Sequence, residues 1–368
     1  MKVLVTGPNG FIGKNLVLRM LELGEFEVLK FVRGQSYDEL KDLVAKADAI
    51  VHLAGENRPA DDQKFIDVNA GLTEQVCRFI ISTGKSIPIL LASSSQAELD
   101  NPYGRSKLAG ERALEEMSSK LTNPVSIYRL PGVFGKWCKP NYNSVVATFC
   151  YNKAHDLPVL INDNNTSIRL VYVDDVVKSF IKQLRSSWTG IVRPCVMPEY
   201  NVTLADLSDQ IDAFKNCRTS LISERVGGGF ARALYATYIS YLPINKLAYS
   251  LTANKDKRGV FVEMLKTQDT GQFSYFTAHP GITRGGHYHH TKTEKFLVIK
   301  GRARFGFRHM ITNEVHYIET VGEDPKVVET VPGWAHDITN IGNEEMLVML
   351  WANEIFDLDN PDTIPSKV

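Results

Sequence analysis

The sequence predicts an α/β domain with a doubly wound parallel sheet, followed by a second domain built of β-strands. Up to about residue 180, short apolar runs alternate with stretches of helical periodicity. These runs are apolar throughout, which is typical of strands buried on both faces of a parallel sheet. After about residue 250, short strand-like runs follow one another at regular spacing without long helices. That spacing predicts a β-sandwich or barrel.

Length and composition agree with two globular domains. The 368 residues are enough for two separate cores. The 42 basic residues balance 42 acidic ones, so we expect neither nucleic acid nor a membrane surface as a partner. We find no secretory signal pattern, and no apolar run approaches the roughly 18 residues of a membrane span. The five cysteines form no CxxC pair, which favours free thiols and a cytoplasmic location.

The order of elements defines the two domains. We place the boundary near residues 243–253, so that the first domain spans residues 1–243 and the second spans residues 250–368. The predicted strands of the first domain are Lys2–Thr6, Phe26–Val32, Ala49–Leu53, Pro88–Ser93 and Ser126–Leu130. Its predicted helices are Asn15–Leu23, Ala70–Thr83 and Ser106–Leu121. The predicted strands of the second domain are Gly259–Met264, Gln272–Thr277, Lys295–Ile299, Ala303–Phe307, Val315–Glu319, Lys326–Val331 and Met346–Trp351.

A glycine-rich loop, TGPNGFIG at residues 6–13, joins the first strand to the first helix. Because glycine has no Cβ atom, such a loop can turn tightly and bring backbone N–H groups close to a pyrophosphate at the helix N-terminus. The loop in this context predicts a Rossmann-type dinucleotide site. The expected cofactor contacts in it are Gly7, Asn9, Gly10, Phe11, Ile12 and Gly13.

The end of the second strand indicates which dinucleotide is bound. NAD enzymes usually carry an acidic residue about 20 residues after the loop, where it binds the ribose 2′-hydroxyl. This chain has FVRG there, with Arg33 and no acid. A guanidinium can bind a 2′-phosphate through two hydrogen bonds, so we expect NADPH. The alternative is that Arg33 is an ordinary solvated charge.

Tyr103 and Lys107 form a YxxxK pair behind a serine-rich strand end. Residues four apart share one face of a helix. A phenol with a pKa near 10 is a poor acid or base at neutral pH, and an ammonium one turn away favours the phenolate. We therefore expect Tyr103 and Lys107 to act in catalysis and to contact the cofactor. A serine from the preceding strand would hold the substrate carbonyl.

These motifs resemble those of the extended short-chain dehydrogenase/reductases that act on nucleotide sugars. The resemblance also includes VHLAG (Val51–Gly55), Asn69 and YRLPGVFG (Tyr128–Gly135). The serine-to-tyrosine spacing is shorter than in that family, which leaves Ser93, Ser94 and Ser95 as alternatives; we choose Ser94. The resemblance implies that Asn143 contacts the sugar nucleotide. It also implies further cofactor contacts from Leu53, Ala54, Gly55 and Asn69.

A second set of polar residues lies near the end of the chain. Its pattern is Gly281-x5-His287-x-His289-x4-Glu294-x6-Gly301, followed by Gly333-x2-His336-x3-Asn340. Imidazoles and a carboxylate suit zinc or another divalent transition metal with an open position. We therefore expect four metal ligands. These are His287, His289, Glu294 and His336. His290 would point to the opposite face, and we interpret His279, His309 and His316 as structural.

These residues are similar to the two motifs of the cupins, which implies a jelly-roll fold. Pro332 lies one position closer to His336 than the pattern usually has it. DKRGVFVE (Asp256–Glu263) and TRGGHYH (Thr283–His289) resemble sugar-nucleotide 3,5-epimerases and ketoisomerases of the cupin class. Metal-free epimerases use the first histidine of the TRGGHYH segment as a base. His287 is therefore either a base or a metal ligand. The neighbouring candidate ligands favour the second role.

A reductase of this kind followed by a cupin resembles bifunctional enzymes of capsule synthesis. The resemblance includes the segments FGKWCKPNYNSVVATFCY (Phe134–Tyr151) and NEIFDLDNPDT (Asn353–Thr363). The resemblance implies a UDP-linked 4-keto-6-deoxy-N-acetylhexosamine as substrate, namely UDP-2-acetamido-2,6-dideoxy-4-hexulose. The cupin would epimerise carbon 3, and the reductase would then use NADPH to form UDP-N-acetyl-6-deoxy-L-talosamine. We also expect a homodimer through the cupin.

Three alternatives remain open at this point. In the first, the cupin serves only as a metal-stabilised dimerisation module beside a 4-ketoreductase. In the second, it is a 3,4-ketoisomerase that supplies a 3-keto sugar to the reductase. In the third, the chain binds sugar nucleotides without catalysis, which predicts no NADPH oxidation with any 4-keto sugar.

Overall fold

The structure, a computed structural model, describes residues 1–57, 61, 63–359 and 361–368, and only the backbone of Lys64. The chain divides into two compact units. Unit 1 consists of Met1–Ile211 and Arg232–Pro243, and unit 2 consists of Asp212–Ala231 and Ile244–Val368. The main division follows Pro243, the last residue of the predicted first domain. Residues 212–231, which we assigned to that domain, belong to unit 2.

Unit 1 alternates strands and helices along the chain. Its strands are β1 (Lys2–Thr6), β2 (Glu27–Phe31), β3 (Ala49–His52), β4 (Ile89–Ser94), β5 (Val125–Leu130), β6 (Gly132–Phe134), β7 (Ser167–Tyr172), β8 (Ile191–Val192) and β9 (Glu199–Thr203). The helices of the chain are α1 (Phe11–Leu23), α2 (Tyr37–Lys46), α3 (Gln63–Phe65), α4 (Leu72–Thr83), α5 (Pro102–Leu121), α6 (Val145–Ala154), α7 (Val173–Arg185), α8 (Leu204–Ser220) and α9 (Gly229–Ile239).

The main sheet of unit 1 is parallel and has the strand order β2-β1-β3-β4-β5-β8. Both faces are covered by apolar side chains. Leu16 of α1 and Phe180 of α7 belong to the core on one face, and Val76 of α4 and Leu114 of α5 to the core on the other. This arrangement confirms the predicted doubly wound α/β fold. Ligands of such sheets bind beyond the carboxyl ends of the strands, where Thr6, His52 and Ser94 lie.

Helix α5 begins earlier than the sequence predicts. Asn101 caps its N-terminus by accepting a hydrogen bond from Gly104 N at 2.8 Å, and Pro102 occupies the first turn. Asparagine at the cap and proline just after it are a common helix start. The predicted start at Ser106 missed this turn because its residues are not apolar. Tyr103 is therefore fixed in the first turn and Lys107 in the second.

Unit 2 contains the β-rich part of the chain. Its strands are β10 (Ile222–Ser223), β11 (Ala253–Asp256), β12 (Gly259–Thr267), β13 (Gly271–Ala278), β14 (Thr283–Tyr288), β15 (Glu294–Lys300), β16 (Arg302–His309), β17 (Val315–Val321), β18 (Val327–Glu329), β19 (Trp334–Asn340), β20 (Met346–Ala352) and β21 (Ile364–Pro365). One sheet has the order β10-β12-β13-β20-β15-β18, with β11 beside β12, and the other has the order β17-β16-β19-β14-β21.

Apolar side chains from both sheets form the core of unit 2. Phe276, Phe296 and Val348 come from the first sheet, and Phe305 and Ile338 come from the second. The second predicted fold class, an all-β sandwich or barrel, is thereby confirmed. Strand β10 pairs in parallel with β12 through Ile222 and Ser223. This pairing explains why residues 212–231 belong to unit 2 although they precede the predicted boundary.

The five cysteines, Cys77, Cys138, Cys150, Cys195 and Cys217, are free thiols. They range from buried Cys150 to exposed Cys195. Among the residues with described positions, none of the helices combines the length and the apolar character needed to cross a membrane.

Candidate active sites in the two units

The glycine loop of unit 1 is a tight turn that only glycine can form. Gly7 has a φ of +67°, in the left-handed region that glycine adopts most easily. A Cβ atom at Gly13 would lie 2.3 Å from the carbonyl oxygen of Gly7. The helix α1 starts directly after Gly10, and no side chain caps it. The N-terminal N–H groups of α1 can therefore hold an anion, as the sequence predicts for a pyrophosphate.

The loop after β3 is held against the glycine loop by a chain of buried hydrogen bonds. Thr6 Oγ1 accepts from the backbone N–H groups of Leu53 and Ala54, both at 3.1 Å. The same hydroxyl lies 2.7 Å from Nδ1 of His52, whose Nε2 lies 2.9 Å from Thr73 Oγ1. Burial, helped by the nearby Lys107 ammonium, lowers the pKa of His52 to about 3. His52 is thus a neutral structural link that positions the VHLAG segment.

Asn69 lies in a π-helical turn, Ile66–Gly71, between α3 and α4. Its Oδ1 accepts from Glu56 N at 2.9 Å, and its Nδ2 donates to Glu56 O at 3.1 Å and to Ser106 Oγ at 3.0 Å. Turns of this type are frequent at functional sites. A Cβ atom at Gly55 would lie 2.8 Å from Asn69 Oδ1 and 3.0 Å from Lys107 Nζ. Gly55 therefore lets these predicted cofactor residues come together.

Arg33 follows β2 and is 85% exposed. Its guanidinium donates to the carboxylate of Glu56 at 2.9 Å. The other carboxylate oxygen of Glu56 accepts from the Tyr142 hydroxyl at 3.2 Å. No sequence motif marks Glu56 as a site residue, because it lies on a different loop from the position where an acid is expected. Glu56 lies beside Arg33 because β2, β1 and β3 are neighbours in the parallel sheet, and no pattern in the sequence predicts this.

Tyr103 and Lys107 lie together as the YxxxK pattern predicts. Lys107 Nζ is 5.8 Å from the centre of the Tyr103 ring and 3.4 Å from Ala92 O. Burial lowers the pKa of the Lys107 ammonium to about 8, against an opposing effect of Glu111. Burial also raises the pKa of Tyr103, while a hydrogen bond with Ser94 lowers it. The phenol donates to Asn57 Oδ1 at 3.1 Å.

The three candidate serines differ in their surroundings. The hydroxyl of Ser93 donates to the buried carboxylate of Glu111, which also binds Arg129. Ser94 ends β4, and its hydroxyl is near enough to the Tyr103 phenol to lower the phenol's pKa, while it accepts from Gln96 N at 3.2 Å. Ser95 begins the 3₁₀ turn Ser95–Glu98 that follows. The arrangement supports Ser94 as the residue beside the reacting carbonyl.

Asn143 is exposed and lies two residues before the start of α6. Its neighbour Ser144 caps that helix by accepting from Ala147 N at 3.2 Å. Tyr142, on the other side of Asn143, reaches Glu56 beside Asn69. The segment that carries Asn143 therefore approaches the loop after β3, which contains predicted cofactor contacts. This position agrees with a role in substrate binding.

In unit 2 the four predicted ligands form one cluster. Their potential ligand atoms all lie within 4.8 Å of one another. His287 of β14 is directly opposite His336 of β19, while Glu294 begins β15 of the other sheet. His289 follows the end of β14 and is almost fully buried. The two sheets thus bring together residues that are up to 49 positions apart, as His287 and His336 show.

The donor set fits a metal ion such as zinc. His289 Nδ1 hydrogen-bonds to the carbonyl oxygen of Asp362, so that Nε2 keeps its lone pair toward the cluster. His289 Nε2 and His336 Nε2 lie 3.4 and 3.3 Å from Glu294 Oε2. His336 Nε2 is buried and lacks hydrogen-bond geometry to any partner. A buried ring nitrogen in this position is suited to metal binding.

The charges of the cluster also suit a cation. Burial would raise the pKa of the Glu294 carboxyl, but His289, His336 and Lys292 hold it well below its usual range. Burial, together with the nearby His336, lowers the pKa of His287 to about 4. At neutral pH the cluster therefore combines the carboxylate of Glu294 with the neutral imidazole of His287. A metal needs its ligands in these protonation states.

The remaining histidines lie outside this cluster. His290 is exposed and stands 5.5 Å from the Tyr288 ring, in agreement with its predicted outward orientation. His279 faces Glu345 at 3.6 Å, and His316 faces Glu314 at 2.8 Å. His309 packs edge-on against Trp334. We find nothing in these surroundings that argues against structural roles.

A cavity of about 110 Å³ opens on His287, Glu294 and His336. Its other walls include four phenylalanines, Phe276, Phe296, Phe305 and Phe307. A larger groove of about 750 Å³ lies between α1 and α7, but none of the predicted catalytic residues lines it. Size alone is thus a poor guide to chemistry in this molecule.

Known protein families match both parts of the chain. Residues 3–192 match the model of the NAD dependent epimerase/dehydratase family. Residues 254–364 match the model described as polysaccharide biosynthesis C-terminal domain. The chain therefore belongs to the NAD dependent epimerase/dehydratase family and carries this polysaccharide biosynthesis domain at its C-terminal end. The cofactor class of unit 1 is accordingly a nicotinamide dinucleotide.

Particular relatives extend over the whole chain. UDP-2-acetamido-2,6-beta-L-arabino-hexul-4-ose reductase of Pseudomonas aeruginosa is 52% identical over 368 residues, covering 100% of this chain and 99% of the relative. The crystal structure of the capsular polysaccharide assembling protein CapF from Staphylococcus aureus has a TM-score of 0.92 and 41% identity, and the match covers both chains completely. UDP-glucuronic acid 4-epimerase from Bacillus cereus, at 17% identity and a TM-score of 0.56, covers 66% of this chain and 99% of its own, and shares the fold alone. The predicted resemblance to reductase–cupin enzymes is confirmed.

Proposed function

We propose that the chain is a bifunctional enzyme that converts a UDP-linked 4-keto-6-deoxy-N-acetylhexosamine into a 4-hydroxy sugar. Unit 1 reduces the ketone, and unit 2 first epimerises carbon 3. The observation that carries the proposal is the convergence of Tyr103, Lys107 and Ser94 beside the glycine loop. A tyrosine and a serine that can both bind one carbonyl oxygen are suited to carbonyl reduction.

The substrate follows from the relatives. The Pseudomonas aeruginosa relative is named as the reductase of a UDP-linked acetamido-4-hexulose, and it matches this chain from end to end. CapF is described as a capsular polysaccharide assembling protein. We therefore assign UDP-2-acetamido-2,6-dideoxy-4-hexulose as substrate and UDP-N-acetyl-6-deoxy-L-talosamine as product, a precursor of capsule or O-antigen. The free thiols, including exposed Cys195, agree with a cytoplasmic enzyme.

In the reductase step, the chemistry that bound NADPH would supply is a hydride for carbon 4. Ser94 hydrogen-bonds to the ketone oxygen and orients it toward Tyr103. Tyr103 then transfers its phenolic proton to that oxygen as the alcohol forms. The Lys107 ammonium stabilises the phenolate that remains, because it is buried on the same helix face. Asn143 would contact the sugar nucleotide, and Arg33 would bind the 2′-phosphate of NADPH.

In the epimerase step, a proton leaves carbon 3, next to the ketone, and returns on the other face. A zinc ion, or another divalent transition metal, held by His287, His289, Glu294 and His336 would polarise the ketone oxygen and make that proton more acidic. Four phenylalanines line the cavity beside the cluster and make its walls largely apolar. Reduction would then remove the 4-keto intermediate and draw the epimerisation forward.

One experiment tests both steps in the intact protein. The protein, NADPH and the UDP-linked 4-keto sugar are mixed in D2O while nicotinamide absorbance and deuterium at carbon 3 are followed. Tyr103→Phe should abolish NADPH oxidation but retain deuterium uptake, whereas His336→Ala should lose deuterium uptake and metal. If deuterium appears at carbon 3 equally in the wild type and in His336→Ala, the assignment of the epimerase to unit 2 is wrong.

A second candidate role for unit 2 is a metal-stabilised dimerisation module. Strand β17 ends its sheet, and its apolar Tyr317 and Ile318 are 61% and 44% exposed. An exposed apolar edge strand is a template for pairing with another chain. A homodimer through unit 2 is compatible with both roles. This candidate predicts no deuterium at carbon 3, while the sedimentation of the protein would still show a dimer.

A further inference from the structure

Glu56 presents a carboxylate that is held in place beside Arg33. Its backbone N–H and C=O are both bonded to the side chain of Asn69, at 2.9 and 3.1 Å. One carboxylate oxygen accepts from Tyr142, and the other accepts from Arg33 at 2.9 Å. The side chain of Glu56 is 17% exposed, whereas that of Arg33 is 85% exposed. Arg33 is therefore the exposed partner of this ion pair, and Glu56 is the partner held by its neighbours Asn69 and Tyr142.

The two nicotinamide coenzymes differ at the 2′-position of one ribose, and the two residues respond to that difference in opposite ways. A carboxylate accepts a hydrogen bond from the 2′-hydroxyl of NADH and repels the 2′-phosphate of NADPH. A guanidinium binds the phosphate. The end of β2, where NAD enzymes carry their acid, has Arg33 instead. Glu56 brings the missing carboxylate to the same place from the loop after β3.

We propose that Glu56 sets the coenzyme selectivity of unit 1 by holding Arg33 in competition with the 2′-phosphate. The inference rests on the proposed reductase function and goes beyond it. NADPH must draw Arg33 away from Glu56, whereas NADH leaves the ion pair intact. Glu56 thereby weakens the preference for NADPH that Arg33 alone would give. The protein accepts both coenzymes with similar affinity.

The test measures dissociation constants of NADPH and NADH by quenching of protein fluorescence in the full-length protein. We expect the wild type to bind both within about tenfold of each other, since an exposed ion pair offsets only part of a phosphate contact. Glu56→Gln keeps the size and the backbone bonds to Asn69. It should bind NADPH about five- to tenfold more tightly and NADH more weakly. The selectivity ratio therefore moves toward NADPH.

A double-mutant cycle separates the action of Glu56 through Arg33 from a general loss of negative charge. In an Arg33→Met background, Glu56→Gln should change the affinity for NADPH less than twofold, because no guanidinium is left to release. The matched control is Glu116→Gln, which removes a carboxylate that pairs with Lys120 at 2.7 Å on the far part of α5. It should leave both dissociation constants unchanged.

Each outcome decides a separate question. An unchanged selectivity ratio in Glu56→Gln overturns the inference while leaving the reductase in place. An equal gain in NADPH affinity with and without Arg33 also overturns it, because Glu56 would then act by long-range repulsion alone. If neither coenzyme binds to the wild type, the proposed reductase function itself fails. A shift in the ratio that requires Arg33 supports the inference.

Discussion

Asp362 Oδ2 accepts a hydrogen bond from the backbone N–H of Thr291 at 2.7 Å, although the two residues are 71 positions apart. The same carboxylate group accepts from His290 N at 2.8 Å and from Lys292 N at 2.9 Å. The carbonyl oxygen of Asp362 binds Nδ1 of His289. These backbone bonds hold the pKa of the Asp362 carboxyl far below its usual range, despite some burial. One residue near the C-terminus thus orders the loop that carries a predicted metal ligand.

Replacing Asp362 by alanine should weaken metal binding. The loop at 290–292 loses three backbone partners, and His289 becomes less well oriented. Changes in residues that orient metal ligands typically cost about 10- to 100-fold in affinity. Zinc affinity, measured by competition with a chromogenic chelator, checks this. Asp359→Ala, in the same segment, is the control and should bind zinc normally. Equal affinities in the two variants would show that Asp362 does not position the ligand.

The two serines at the end of β4 should respond differently to replacement by alanine. Ser94→Ala removes the hydroxyl beside Tyr103 and should lower kcat/KM for the 4-keto sugar by about 10²-fold, with little change in stability. Ser93→Ala removes a donor from buried Glu111 and should cost about 1–2 kcal/mol of stability while the chemistry persists. Steady-state NADPH oxidation and urea unfolding of both variants give the comparison. A reversed pattern would assign the catalytic hydroxyl to Ser93.

Acid should destabilise unit 1 through His52. Its pKa in the folded protein is about 3, because the ring is buried, whereas an exposed histidine titrates near 6.5. Below pH 6.5, His52 therefore binds a proton in the unfolded chain but stays neutral in the folded protein. The free energy of unfolding consequently falls as the pH drops toward 3. Between pH 6.5 and 4.5 the loss from this group is about 2 kcal/mol.

The measurement is the free energy of unfolding against pH for the wild type and His52→Asn. The variant should be less stable at pH 7, because hydrogen bonds to Thr6 and Thr73 are lost or weakened. Its stability should nevertheless decline less steeply below pH 6.5. Parallel curves for the two proteins would show that His52 is not the titrating group.

Gly13→Ala should disrupt the glycine loop at residues 6–13. The added Cβ would lie 2.3 Å from Gly7 O and 2.8 Å from Pro8 Cα, both backbone atoms, so the loop and α1 must move apart. We expect a loss of about 1–3 kcal/mol in stability and a clear loss of NADPH binding. Gly228→Ala is the control, since no atom lies within 4 Å of its added Cβ. Thermal unfolding and fluorescence titration measure both effects, and normal NADPH affinity in Gly13→Ala would contradict the role of the loop.

Much of the fold follows from short-range pattern in the sequence. Strand β1 occupies Lys2–Thr6 as predicted, and the helix with Tyr103 and Lys107 has the expected face. Boundaries of helices and units were mispredicted where the sequence has no apolar periodicity. Helix α1 begins at Phe11 rather than at Asn15, because its first turn is set by the glycine loop and not by apolar periodicity. Residues 212–231 belong to unit 2 although the predicted first domain includes them, because the pairing of the two-residue strand β10 with β12 leaves no local pattern.

Local patterns were sufficient to predict the two folds, the kinds of residue at each site, and the spacing that groups His287, His289, Glu294 and His336. These features depend on backbone propensity and on residues close together in the chain. Three contacts depend on the tertiary structure instead: the approach of Ser94 to Tyr103, the pairing of Glu56 with Arg33, and the support of His289 by Asp362. Each of these contacts joins separate segments through strand order or sheet packing, and periodicity within a segment carries no information about that.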